Sequence, residues 1–477
     1  MTKPKPYLIF ILLLTIIFSC SEKEKPKQNE QPNILFLLSD DHSVPYLGCY
    51  GNTDLKTPNL DKLATEGIRF NHAYTTAPQC VLSRASLMTG RNVLDVQMLR
   101  FSAPLNKDIV TFPELLRNAG YFTGVCGRSY HLDGSGRKPQ ETIDVFEEFE
   151  MQTFKHRMDY VNQGAGDAVL GQVSEFLDSI PEGKPFFLWT NYSDPHRIFD
   201  AFDYEPDPEE ITVPEGMPDT KLLREDLAAH LGEINRLDSR IGLVISELKK
   251  RGLYENTLII FMGDNGAALI RGKGTLYDCG IHVPLIARYP KMINSGTVSD
   301  ILISGSDLGP TILDVVGIEP DHQMTGKSFK HAMIGDKTEN HEYLFAVRGA
   351  HGSSLPGSSS AFDLSRTVFN KDYRFIYNPM FNLPYRPVDF AGGKMWKELV
   401  QLESEGKLDK KFSNTTMFSE QRPMFEFYNL KNDPNEFINL SGNADYKEVE
   451  HQYKTQLHRW MIIYQDPVPL PIPPPRK

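Results

Sequence analysis

Asn33-Ile34-Leu35-Phe36-Leu37-Leu38, followed at once by Ser39-Asp40-Asp41-His42, decides how this chain is read. An apolar run without alternation suits a strand covered on both faces, as in a parallel sheet flanked by helices. Residues 186–190, 257–262 and 284–287 read the same way. Helical patterns lie between them. The clearest spans 221–251, with Leu223, Leu227, Leu231, Ile234, Leu237, Ile241, Val244, Ile245 and Leu248 near helical spacing. Lys249-Lys250-Arg251 suits its C-terminus and Gly252 its C′ cap. Strands alternating with helices predict an α/β fold with a large, doubly wound, mostly parallel sheet. Sites in such sheets form at the C-terminal ends of the strands. From about Gly335 the character changes to short strand-like pieces (341–347, 373–377, 425–430) and a helix over 446–464. The expected organisation is a main domain over 32–335 and a smaller α+β C-terminal subdomain over 336–477, with an extended, Pro-rich tail.

The chain has 477 residues, 40% of them hydrophobic, enough for a large core. Its net charge of −11 argues against non-specific nucleic-acid binding. At the N-terminus Lys3 and Lys5 precede an apolar run over 7–18, too short for a membrane span, which predicts a signal peptide over 1–19. Cys20 resembles the lipidated Cys of bacterial lipoproteins, and 20–31 is a polar, Lys/Glu-rich tether. These features predict an exported bacterial lipoprotein, anchored in the membrane by its lipid and facing the periplasm or cell surface. An ordinary signal peptide with a chance Cys is the alternative.

Two acidic segments follow predicted strands. Adjacent carboxylates at Asp40-Asp41 repel each other unless a cation lies between them. Gly263-Asp264-Asn265-Gly266 offers further oxygen ligands on the same sheet edge. Each alone also reads as a turn; together they can converge on one ion, and all-oxygen ligation favours Ca²⁺ or Mg²⁺ over zinc. Cys80 precedes a helix of about two turns that closes at Gly90, where free N–H groups and the helix dipole favour an anion. Arg84 shares its face. By itself this is a buried Cys beside an Arg, or a thiol nucleophile of lowered pKa.

The run Cys80-Val81-Leu82-Ser83-Arg84, closed by Thr89-Gly90-Arg91, resembles the activation motif of the type I sulfatases, members of the alkaline phosphatase superfamily. Asn33–Asp41, Thr57-Pro58-Asn59-Leu60-Asp61, Gly263–Gly266 and the closing Phe427-Tyr428-Asn429-Leu430 with Asp433-Pro434, Glu436 and Asn439-Leu440 resemble further motifs of that family, in the same order. The resemblance implies that a maturation enzyme oxidises Cys80 to formylglycine, whose hydrate attacks sulfate esters. It implies a Ca²⁺ held by Asp40, Asp41, the modified Cys80, Asp264 and Asn265, with Arg84 holding the hydrate. It assigns sulfate binding to Arg128 and Lys273, and proton transfer to His131 and His196. Gly127-Arg128-Ser129-Tyr130-His131 departs from the family's G-K-x-H by an Arg and one extra residue, which opens the alternative that Tyr130 fills part of the His place. Asp278-Cys279 replaces the usual Glu-Gly, and Leu82 stands where the family has Pro or Ala. Leu can take the geometry that Pro pre-sets, so the folded site should survive.

With Cys20 lipidated and Cys80 converted, only Cys49, Cys126 and Cys279 remain, which is no disulfide framework; Cys126 and Cys279 read as buried thiols. Asp194-Pro195-His196-Arg197 and residues 377–389 look most similar to N-sulfoglucosamine sulfohydrolases, implying a sulfated, heparan-type glycan as substrate. Arg348, His351, Arg386, Lys394 and Trp396 would line a sugar cleft or be ordinary surface residues. Three rival readings remain: an O-sulfatase on another polysaccharide, a phosphatase or phosphodiesterase of the same superfamily, and an inactive, glycan-binding lipoprotein.

Overall fold

The computed structural model describes residues 1–2, 31–99, 104–133, 140–351 and 363–473. The expected signal peptide, Cys20 and nearly all of the tether lie outside the described residues.

Eight strands form the main sheet: β1 (Asn33–Ser39), β2 (Ile68–Tyr74), β3 (Phe122–Gly127), β4 (Tyr160–Val161), β5 (Phe186–Asn191), β6 (Thr257–Gly263), β7 (Leu285–Arg288) and β8 (Thr297–Ser304), in the order β4-β3-β5-β1-β6-β7-β2-β8. Every pairing is parallel except those of β7, which runs antiparallel to both β6 and β2. The expected mostly parallel sheet is therefore found, with one reversed strand that the apolar run at 284–287 did not signal.

β1 is buried on both faces, as its composition requires. Ile34, Phe36 and Leu38 enter one core, and Leu35 and Leu37 the other. Each such side chain contributes roughly 1.5–3 kcal/mol by leaving water. The first core takes in Val81, Leu82 and Ala85 of the helix Cys80–Thr89, and the second the apolar stripe of the helix Lys221–Lys250. That long helix starts where the Thr220 side chain accepts from the Leu223 N–H (3.2 Å). It stops as expected at Gly252, whose φ of +71° returns its N–H to the Lys249 carbonyl (3.0 Å).

The later residues add an antiparallel sheet of β9 (Leu344–Arg348), β10 (Ser365–Phe369), β11 (Tyr373–Tyr377) and β12 (Phe425–Asn429), in the order β12-β11-β10-β9. The helix Lys447–Ile463 covers it through Tyr453, Leu457, Trp460 and Met461, and these share the first core with the main sheet. Sequence patterning finds three of these strands to within a few residues and misses β10, a short segment with polar residues at Ser365, Arg366 and Thr367. No helix among the described residues is long and apolar enough to cross a membrane.

Candidate active site

Four neighbouring parallel strands, β3, β5, β1 and β6, deliver the site at their C-terminal ends. Pairing of Ser39 with Gly263 sets the ends of β1 and β6 side by side. The chains then stay zipped: the Asp264 N–H donates to the Ser39 carbonyl (3.0 Å), the His42 N–H to the Asn265 carbonyl (2.7 Å), and the Asp41 N–H to Asp264 Oδ1 (2.9 Å). On the other side, the Asp40 N–H donates to the Asp194 carbonyl (3.2 Å), which brings up the segment carrying His196. The Arg128 N–H donates to the Asn191 carbonyl (3.0 Å). Gly127 (φ +80°) precedes it because a Cβ there would meet that same carbonyl oxygen at 1.9 Å.

Cys80 is the first residue of its helix and is completely buried. Its Sγ lies 3.1 Å from Asp40 Oδ1 and 3.8 Å from Asp41 Oδ1. Donor atoms of Asp40, Asp41, Cys80 and Asp264 all lie within 4.8 Å of one another. Arg84 grips this group from the same helix face: Nε donates to Asp264 Oδ2 (2.9 Å), Nη2 lies 3.1 Å from Asp40 Oδ2, and Nη1 donates to the Arg128 carbonyl (2.8 Å) and to Asn191 Oδ1 (3.2 Å). Arg128 Nε adds a second cation 3.1 Å from Asp40 Oδ2.

The electrostatics follow from burial and neighbours. Burial raises the Asp40 carboxyl, but Arg128 and Arg84 overcome it and hold Asp40 well below the usual carboxylate range. Burial lifts Asp41 to about 6 against the pull of Lys273, and burial with Asp40 lifts Asp264 to about 7 against Arg84. Burial and Asp40 push the Cys80 thiol well above its ordinary value. A thiolate nucleophile needs the opposite shift, so among these carboxylates the thiol itself is disfavoured as the attacking group.

Three buried carboxylates, two of them resisting ionisation, fit a divalent cation. So does Asn265 Oδ1, which is buried without a hydrogen-bond partner while its Nδ2 donates to Asp41 Oδ1 (2.8 Å). The oxygen donor set suits a hard ion.

Lys273 is wholly buried, its Nζ 2.9 Å from Asp41 and 2.7 Å from Asp389 Oδ2. His196 Nε2 lies 3.9 Å from Asp41 Oδ2 and 3.7 Å from Asp389 Oδ2, while its Nδ1 is engaged by the Arg197 carbonyl. Burial and then Lys273 depress His196 to about 3. His131 Nδ1 reaches to 3.9 Å of Asp40 Oδ2, and its Nε2 lies 3.1 Å from Arg128 Nη2. The extra residue before it is absorbed by the helical turn Tyr130–Asp133, and Tyr130 lies against Arg128 and the edge of His131 rather than in the His place.

All ten residues expected to carry the chemistry or hold the metal thus converge. Leu82 is buried in the first core and would contact a Cβ at Gly349, so it packs as a structural residue. Of the suggested cleft residues, Trp396 is core, stacked on Phe418, whereas Arg386 and Lys394 are exposed. Cys126 is a buried thiol; Cys279 is only half-buried. Two site residues were not foreseen. Asn191 is a strand-end amide with no motif around it. Asp389 comes from the segment after β11 and meets Lys273 only through the fold.

The sulfatase family matches residues 32–318. This chain belongs to the sulfatase family. An ulvan-active sulfatase of Formosa agariphila is 28% identical to it, over 97% of this chain and 82% of that protein. Human N-sulphoglucosamine sulphohydrolase is 28% identical over 91% of each chain. A solved structure holding its substrate D-glucosamine-2-N,6-O-disulfate superposes with a TM-score of 0.68 at 19% identity, covering 93% of this chain and all of that one. A phosphonate monoester hydrolase from Silicibacter pomeroyi shares the fold equally (TM-score 0.69, 19% identity, 92% of this chain and 96% of that one). Fold alone therefore does not separate sulfate from phosphonate chemistry. The family match does: this sulfatase is a sulfuric ester hydrolase.

Proposed function

We propose that this sulfatase is a Ca²⁺-dependent enzyme that removes sulfate from a heparan-type glycan, with N-sulfoglucosamine as the preferred residue, using formylglycine made from Cys80. The observation that carries it is the seating of Cys80 Sγ against Asp40 and Asp41 at a helix N-terminus, with its thiol pushed up by burial. A Cys so placed among carboxylates is a poor thiolate and is well placed as the precursor of another nucleophile. The position of Sγ is where the converted residue would present its attacking oxygen.

Asp40, Asp41, Asp264 and Asn265 would hold the calcium, with the converted Cys80 completing the set. When bound, the ion supplies positive charge to the sulfate oxygens. Arg84 fixes the nucleophile's surroundings by spanning Asp264 and Asp40. Arg128 and Lys273 place two permanent cations where the sulfate oxygens lie, Arg128 with a planar fork suited to two of them. His196 offers Nε2 toward the leaving atom. Its depressed pKa is opposed by the negative charge that arrives with the sulfate, so the imidazole can hold the proton that the leaving oxygen or nitrogen requires. His131, held by Arg128 beside Asp40, is the second proton carrier.

The human relative's name and its matched length support the N-sulfate preference. An O-sulfatase on another polysaccharide is the second reading, supported by two ulvan-active relatives. Sulfate release from N-sulfoglucosamine, N-acetylglucosamine-6-sulfate and ulvan oligosaccharides decides between them. Fastest release from N-sulfoglucosamine is expected; release from ulvan alone would overturn the preference. Mass spectrometry of the Cys80 peptide from host-expressed protein should show the aldehyde, made by a maturation enzyme that tolerates Leu82. An intact thiol throughout would sink the formylglycine reading. The N-terminal sequence supports export as a lipoprotein anchored through Cys20 at the periplasmic or cell surface, and loss of lipid labelling in Cys20→Ala tests it.

A further inference from the structure

Asp389 lies outside the Asp40, Asp41, Cys80 and Asp264 group, though with Asp41 and His196 it forms a second close set of possible donors. Asp389 is held over the site by two contacts to the residue after Lys273. Tyr385 Oη donates to the Gly274 carbonyl (2.8 Å), and Val388 covers Gly274 so closely that a Cβ there would meet Val388 Cγ2 at 2.4 Å. The Asp389 backbone sits at φ +67°, a conformation that aims its side chain at Lys273 Nζ (2.7 Å). The same carboxylate lies 3.7 Å from His196 Nε2 and 3.5 Å from His351 Nε2. Its side chain is 27% exposed, whereas those of Lys273 and Asp41 are fully buried. Asp389 therefore forms the open rim of the site, next to the histidine that faces the leaving atom.

A carboxylate on the rim of an anion site weakens binding of that anion unless it receives a donor from the same ligand. A sulfated sugar offers such a donor: a free hydroxyl or N–H beside the atom that carries the sulfate. We propose that Asp389 is a specificity-determining residue that accepts a hydrogen bond from that neighbouring donor and repels a second sulfate in its place. The charge would serve both purposes, attraction to one ligand and rejection of its over-sulfated relative. This rests on the glycan-sulfatase reading above.

Asp389→Asn is the informative change, because Asn tolerates a positive φ and keeps the shape while removing the charge. Three substrates are compared: N-sulfoglucosamine, its 3-O-sulfated form, and 4-methylumbelliferyl sulfate, which has no neighbouring donor. The variant should lose at least tenfold more kcat/KM on N-sulfoglucosamine than on the aryl sulfate. Its preference for N-sulfoglucosamine over the 3-O-sulfated sugar should narrow at least tenfold. Equal losses on all three would mean that Asp389 acts only through Lys273, and no loss on any would mean that it does not meet substrate; either overturns the proposal. Calorimetry on Cys80→Ala protein reads recognition without turnover: adding Asp389→Asn should weaken N-sulfoglucosamine at least tenfold more than inorganic sulfate. If the unaltered enzyme releases sulfate from no sugar while this binding difference persists, the hydrolytic reading fails and the assignment of Asp389 stands. If Asp389→Asn weakens N-sulfoglucosamine and inorganic sulfate equally, the assignment of Asp389 falls while sulfate release by the unaltered enzyme still upholds the hydrolytic reading.

Discussion

The site has two acidic sides, built in opposite ways. At the ends of β1 and β6, Asp40, Asp41, Asp264 and Asn265 follow their strands directly, and backbone hydrogen bonds set their spacing. At the rim, Lys273 and Asp389 meet across two segments far apart in the chain, brought together by Tyr385, Val388 and the closing segment. Glu436 accepts from the Asp278 N–H (2.7 Å), and Arg271 donates to the Asn435 and Glu436 carbonyls (3.1 and 2.7 Å), so the turn bearing Lys273 is clamped by residues of the last quarter of the chain. Strand register makes the first side rigid and generic to the chemistry. Side-chain packing between segments distant in the chain sets the second side, which carries the proposed substrate-reading Asp389.

That contrast can be broken most forcefully at Cys80. Cys80→Ala should cut sulfate release on the order of 10⁴-fold or more while leaving the circular dichroism spectrum unchanged. A variant retaining a tenth of the activity would remove Cys80 from the chemistry. Asp264→Ala strikes the register-built side. It leaves buried Arg84 short of a partner, so urea unfolding in calcium should show a loss of about 3–5 kcal/mol; a loss under 1 kcal/mol would show that Asp40 alone satisfies Arg84.

The same side predicts a pH dependence. Asp41 and Asp264 have folded pKa values raised to about 6 and about 7, above the roughly 3.9 of an unfolded Asp. At these two positions the folded state therefore holds more protons than the unfolded one between about pH 4 and 7, so their contribution to stability falls as pH rises through that window, whereas buried His196, depressed to about 3, works in the opposite direction below about pH 6.5. The calcium-dependent part isolates the two carboxylates: added calcium should raise the melting temperature of chelated protein more at pH 8, where both are ionised, than at pH 5. A calcium shift independent of pH would contradict the assignment of these carboxylates to the ion. The smallest effect belongs to the rim. Tyr385→Phe removes one hydrogen bond to Gly274 and should cost about 1 kcal/mol, raising KM for the sugar a few-fold more than it lowers kcat. An equal fall in kcat would mean that the rim also sets the geometry of the reacting atoms.

Much of this was legible before any coordinates. Ile34 to Leu38 suited a strand buried on both faces, which put the carboxylates after it at the strand's C-terminal end. Arg84 had to share a face with Cys80 because it follows four residues later on one short helix. The reversal of β7 was not legible, since a short apolar run reads alike in either direction. Trp396 was read as a sugar-cleft or surface residue and is core instead, because a lone aromatic gives no local sign of the neighbours that will cover it. Asp389 closes the 377–389 stretch that resembles a subfamily, but nothing local to Pro387-Val388-Asp389 gave that Asp a role of its own.

By itself, then, the sequence determined the elements whose positions are set locally: buried strands, the helix start at Cys80, and acidic strand ends that must gather along one sheet edge. Tertiary structure alone decided which segment would close the site, how the extra residue before His131 is absorbed, and that Asp389 faces Lys273. The physical reason is range. Periodicity and strand-end placement are encoded within a few residues, whereas the rim depends on the packing of Tyr385, Val388 and Glu436 against a turn that no local pattern connects to them.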